Sequence, residues 1–157
     1  MIKDKDINAV TIANYFLTKS EATPKKLQKL VYYSYSWFIA MYNENENNIT
    51  SVLFNEQPEA WLHGPVFKSL YKEYKMYGWH EVGKINKTIE FENNEIKPFL
   101  DKIYSTYNKF DADELEYMTH QETPWKLARN GVSALGSSNN KIDKKEIFKY
   151  FNNLANA

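Results

Sequence analysis

The segment from Thr23 to Tyr42 constrains this chain more than any other stretch of it. Thr23-Pro24 reads as a helix start. A threonine side chain can accept a bond from an early N–H, and proline at the first helical position loses nothing because that N–H has no partner there. Beyond it Leu27, Leu30, Val31, Trp37, Phe38 and Met41 share one face, while Tyr32, Tyr33, Ile39 and Ala40 leave little of the opposite face polar. A helix that is apolar on most sides has to be covered on most sides. The pattern predicts a helix from Pro24 to about Tyr42 that is the central helix of the domain, or one face of an interface.

Helical spacing recurs on both sides of it. Ile7, Val10, Ala13, Phe16 and Leu17 predict a helix over 7–18, broken by Lys19-Ser20-Glu21-Ala22. Gly64-Pro65 predicts the start of an amphipathic helix ending near Gly78, with Val66, Phe67, Leu70, Tyr71, Tyr74 and Tyr77 on its buried arc and Lys68, Lys72 and Lys75 opposite. Ile96, Phe99, Leu100, Ile103 and Tyr107 predict another, and Asp111 or Asp113 caps the next. Thr123-Pro124 repeats the Thr23-Pro24 device before a short helix that Gly131 can terminate. Asp143 with Glu146 resembles a capping box ahead of Ile147, Phe148, Phe151 and Leu154. Extended pieces at 49–54 and 59–62 are expected to pair, although Pro58 argues against a long ladder. Alternation at 88–91 suggests one or two short strands in 79–92. The expected fold is mainly α with a small β element (α+β): a single compact domain, 1–157, of about six helices with short strands near 49–62 and 79–92.

Composition narrows function by exclusion. Twenty basic and 20 acidic residues cancel, with no block of like charge, so the electrostatic footprint of nucleic-acid binding is missing. With no cysteine there are no disulfides, thiolate nucleophiles or thiolate metal sites. The first ten residues lack the apolar core of a secretion signal, and no apolar run approaches the roughly 20 residues of a membrane span. A soluble, cytoplasmic protein is expected.

Catalytic signatures are equally sparse. His63, His80 and His120 are far apart in sequence and none belongs to a zinc-type pair, so neither a metal nor a cofactor is expected. There is no nucleophile elbow and no phosphate-cradling glycine loop. Glu44 with Glu46, and Asp113 with Glu116, read as solvated carboxylates. An enzyme would need a histidine site assembled from distant segments. His120, near a helix end, would be favoured in its protonated form if exposed, an anchoring role. Twelve Tyr, 9 Phe and 4 Trp exceed the evident needs of a small core, and Tyr and Trp supply rigid contact area at protein interfaces.

Four blocks in series then point to a family: TPKKLQKLVYYSYSWFIAMYN, LFNEQPEAWLHGPVFKSLYKEYKMYG, LEYMTHQETPWKLAR and IDKKEIFKYF. The matching features are Lys26-Leu27-Gln28-Lys29-Leu30 before an aromatic helix, Glu59-Ala60-Trp61 stepping into Gly64-Pro65-Val66, Tyr71 with Tyr77-Gly78, and Thr119-His120 before Pro124-Trp125. Together they resemble the Panacea antitoxin domain, also described as the GepA-like or SocA-like phage-associated domain. The resemblance implies a mostly helical antitoxin that neutralises an unrelated toxin, encoded by an adjacent gene, through direct contact. It equally covers adaptors that deliver the toxin to a protease, and phage or prophage proteins that bind another host protein. Many relatives carry a further DNA-binding module. The 157 residues leave no length for one, so DNA binding by this chain alone is not expected.

For partner binding the candidates are Trp61, His63, Lys68, Lys72, Lys75, His120 and Trp125. Gly64-Pro65 is expected to launch a helix whose open first-turn N–H groups, with His63, could grip an acidic group on a partner. The lysine face of that helix and the tip of the helix after Thr23 are the remaining surfaces. Homo-oligomerisation stays open.

Overall fold

A computed structural model describes residues 1–157. Its elements are α1 (Ala9–Leu17), α2 (Pro24–Tyr42), β1 (Glu59–Trp61), β2 (Gly64–Val66), α3 (Lys68–Tyr74), α4 (Ile96–Tyr107), α5 (Ala112–His120), α6 (Thr123–Ala128) and α7 (Lys144–Ala155). Two short 3-10 turns, Asp4–Asp6 and Lys75–Tyr77, complete the regular structure. The fold is mainly helical with one two-stranded antiparallel sheet.

As expected, α2 is the axis. Thr23 caps it by accepting from the Lys26 N–H at 3.2 Å, and Pro24 opens the first turn. Ten consecutive residues, Leu27 to Ser36, are buried, which a helix achieves only when neighbours enclose it on every side. Those neighbours are α1, α3, α4, α5, α7 and β2. Asn43 then stops it: its amide donates to the Ile39 and Ser51 carbonyls and its oxygen accepts from the Thr50 and Ser51 N–H groups. Most of the aromatic surplus is absorbed around α2. Tyr33 stacks on Tyr107 with centroids 4.1 Å apart, Tyr35 packs edge-on against Phe67, and Trp37 against Phe151.

Helix boundaries elsewhere follow their caps. Asn8 accepts from the Thr11 N–H at 2.9 Å and so starts α1 later than the spacing suggested. Asp111 forms a capping box with Glu114 at α5. Asp143 caps α7 through the Lys145 N–H rather than by a box. Extended backbone at Glu122 moves the α6 cap one residue ahead of Thr123.

The β element differs from expectation. Residues 49–54 form no strand, because the Thr50 and Ser51 N–H groups are already taken by Asn43. β1 pairs instead with β2, in the register Glu59↔Val66, Ala60↔Pro65 and Trp61↔Gly64. Gly64-Pro65 therefore lies in a hairpin and not at a helix start, which moves to Lys68. In 79–92 only single bridges form, Val82 to Ala22 and Phe91 to Ile2. No helix is long and apolar enough to cross a membrane.

Candidate functional site

The β1–β2 hairpin gathers most of the sequence-predicted contact residues. Its turn is only Leu62-His63, and Gly64 follows at φ +106°, a conformation that side chains beyond glycine rarely adopt. Pro65 lacks an N–H, but its cross-strand neighbour Ala60 sends its own N–H outward to the Asn140 carbonyl at 2.8 Å. Both edges of the hairpin are occupied. On the β1 side Arg129 donates to the Ala60 carbonyl at 3.0 Å, and Trp125 Nε1 donates to the Trp61 carbonyl at 3.0 Å. On the β2 side α2 supplies the contacts. Gln28 exchanges two bonds with the Phe67 backbone, at 2.8 and 3.1 Å, and Lys29 reaches the Pro65 carbonyl at 3.4 Å.

Around this frame the charges are arranged in a network. Burial disfavours the Glu59 carboxylate, yet bonds from Trp61 Nε1 (2.8 Å) and Lys141 Nζ (3.0 Å) leave its pKa below the usual value. Glu116 pairs with Lys25 and lies 3.2 Å from His63 Nδ1; these partners overcome its burial and hold its pKa down. Lys29, fully buried under the hairpin, is pushed down to about 7 by desolvation, with Glu116 the main opposing charge.

Of the seven predicted residues, four converge here. Trp61 is half-buried with its ring 4.8 Å from that of Tyr71, and His63 is exposed at the turn. His120 stacks on Trp125 at 4.1 Å, and the Arg129 guanidinium lies 5.1 Å from the same indole. His120 is half-buried rather than exposed, so the condition for a protonated anchor is not met: burial lowers its pKa and its Nε2 has no hydrogen-bond partner within the chain. Lys68, Lys72 and Lys75 are exposed, the first two on α3 and the third at the start of the 3-10 turn that follows it, and the charge of Lys68 also helps to lower the pKa of Glu59 in β1. The open N–H groups expected after Gly64-Pro65 do not exist in that form: the Ser69 N–H in the first turn of α3 is bonded to Glu56 at 3.0 Å.

Several residues escaped the sequence reading. Gln28 and Lys29 were visible as polar residues in a helix without a polar face. Glu116 read as solvated but is half-buried between Lys25 and His63. Arg129, not singled out in the sequence, is 7% exposed and also bonds the Gly136 and Ser133 carbonyls.

Two concavities flank this architecture. A cleft of about 520 Å³ lies between the hairpin turn and residues 137–139, lined by Trp61, Leu62, His63, Val66, Ser138 and Asn139 among others. A more apolar groove of about 700 Å³ runs between the end of α2 and α4, over Trp37, Met41, Tyr42 and Phe99, and contains none of the seven predicted residues. The hairpin presents aromatic faces, imidazoles and hydroxyls on a frame hydrogen-bonded along both edges.

No curated protein and no solved structure matches the chain. The family described as antitoxin SocA-like, Panacea domain, matches residues 27–126, from the first core residue of α2 to the middle of α6. That span holds the hairpin, α3, both predicted tryptophans and both network histidines. Covering well over half of the sequence, it establishes that the chain belongs to the antitoxin SocA-like, Panacea domain family.

Proposed function

We propose that this chain is the antitoxin of a two-gene toxin–antitoxin system, acting in the cytoplasm. It neutralises a cognate protein toxin encoded by the adjacent gene through direct protein–protein binding, without catalysis. The observation that carries this reading is the family match over 27–126. The site geometry supports it. Aromatic and imidazole groups sit on a hairpin fixed from both edges, so little side-chain or loop entropy is lost on binding a partner.

Co-expression with the neighbouring open reading frame tests the proposal. A toxic neighbour whose growth arrest is relieved by this chain, and which co-purifies intact with it, supports neutralisation by binding. Relief accompanied by protease-dependent loss of the neighbour replaces binding with delivery to a protease. A harmless neighbour overturns the antitoxin reading.

A further inference from the structure

Helix α3 contributes little to the core. Of its seven residues only Leu70 is buried, and half-buried Tyr74 is fixed by a bond from its hydroxyl to Asn14. Of the arc expected to be covered, Val66, Phe67 and Leu70 are buried, but Tyr71 is 42% and Tyr77 37% exposed. Beyond the helix Met76 is 79% exposed, and Gly78 turns the chain at φ +58° to present Trp79 at 84% exposure. A tryptophan held so far into water has no packing role to explain it.

Lys68, Lys72 and Lys75 run through this apolar surface. Their four- and three-residue spacing places them in one stripe of about 10 Å on the outward side, away from Leu70. None of the three lies within ion-pair distance of a carboxylate, although Lys19, Lys25, Lys97, Lys141 and Lys149 all do. Three cations in a row without an ion-pair partner, flanked by Tyr71 on the helix and by Trp79 beyond its end, leave a basic stripe on this face, of which only Lys68 acts at longer range on a carboxylate, that of Glu59. The Tyr71 ring also packs on Trp61, so the stripe is continuous with the hairpin site.

We propose that the outer face of α3 and the turn after it dock an acidic amphipathic helix of the partner protein, its carboxylates repeating at the same four- and three-residue interval. The identity of that partner as the toxin rests on the antitoxin reading; the surface and its chemistry do not. Exposed lysine–carboxylate pairs are individually weak, so they select orientation and partner, while Tyr71, Met76 and Trp79 supply the desolvated contact. A phosphate backbone fits less well, because the chain is neutral overall and Glu73 interrupts the stripe's flank.

The test uses the full chain and a fluorescein-labelled synthetic amphipathic peptide with glutamates at alternating four- and three-residue intervals, followed by anisotropy. Saturable, salt-sensitive binding is expected, weakened at least about tenfold by the combined K68E/K72E/K75E substitution and by Trp79→Ala. Unfolding curves of both variants should coincide with the parent, since every altered side chain is exposed. Absence of peptide binding overturns the proposal, as does equal binding by the charge-reversed variant. Tighter binding of an oligothymidylate or of phosphatidylserine vesicles also overturns it. The two readings fail separately. Full relief of the neighbouring toxin by the charge-reversed variant removes the toxin as the occupant of this surface and leaves the antitoxin reading intact; a harmless neighbour removes the antitoxin reading while the peptide result stands.

Discussion

Gly64 rests directly on Lys29: a Cβ placed at Gly64 would lie 2.7 Å from Lys29 Cε and 3.0 Å from Thr119 Oγ1. The hairpin approaches α2 this closely only because the side chain is missing, and φ +106° independently requires glycine. Lys29 is fully buried and cannot swing aside into solvent. Gly64→Ala should therefore destabilise the fold by about 2–4 kcal/mol, combining backbone strain with overpacking. Urea unfolding measures it, and a loss below about 1 kcal/mol would show that the hairpin relaxes away from α2 freely.

Gln28 does for Phe67 what a neighbouring strand would do, satisfying both its N–H and its C=O from a buried position. Replacing it by methionine keeps the volume and orphans the buried Phe67 N–H, while the Phe67 carbonyl keeps its bond from the Tyr71 N–H at 3.0 Å. The expected loss is about 1–3 kcal/mol, whereas His63→Ala, at an exposed position, should change stability by less than about 0.5 kcal/mol. Equal effects from the two substitutions would count against the clamp.

What the sequence made legible was local. The start and end of α2, a cap at Asp111 for α5 and the buried stripe of α4 are set by residues three or four apart and were recovered, as were Ile147, Phe148 and Phe151 of α7, whose Leu154 is exposed instead; the capping box expected at Asp143 is found at Asp111. Gly64-Pro65 was misread because a helix start and a β-hairpin both accept that dipeptide. The deciding contacts, Phe67 to Gln28 and Ala60 to Asn140, join residues distant in sequence. The site was half legible for the same reason. Trp61, His63, His120 and Trp125 stood out as residue types, but their meeting depends on Arg129, Glu116 and the hairpin, whose roles appear only once the chain is folded.

Arg129 holds three carbonyls, those of Ala60, Ser133 and Gly136, from a buried position. A lysine carries the same charge but not the planar fork, so it can serve one of them well and leaves the others unmet. Arg129→Lys should cost about 1–3 kcal/mol. It should also speed hydrogen exchange at the Ala60 amide, which is bonded to Asn140 in the loop that Arg129 secures. Unchanged exchange at Ala60 would mean that the loop is held by other contacts.

Lys29 and Glu122 should give the stability–pH curve a dip near neutrality. Burial pushes Glu122 up to about 7 against a single opposing bond from the Tyr33 hydroxyl at 2.8 Å. Between its ordinary value and pH 7 the folded state binds the extra proton, so stability from this group falls as pH rises. Lys29 is shifted the other way, down to about 7, so between pH 7 and its ordinary value the unfolded state binds the extra proton and stability climbs. Each effect amounts to a few kcal/mol at most. His120, lowered by burial, adds an opposing rise toward its ordinary value, so the contribution of Glu122 is read from the difference between parent and variant. Glu122→Gln should flatten the falling limb, and Lys29→Met the rising one. Urea midpoints collected from pH 5 to 10 decide the matter: parallel curves for the parent and both variants would mean that neither group titrates near neutrality in the folded chain.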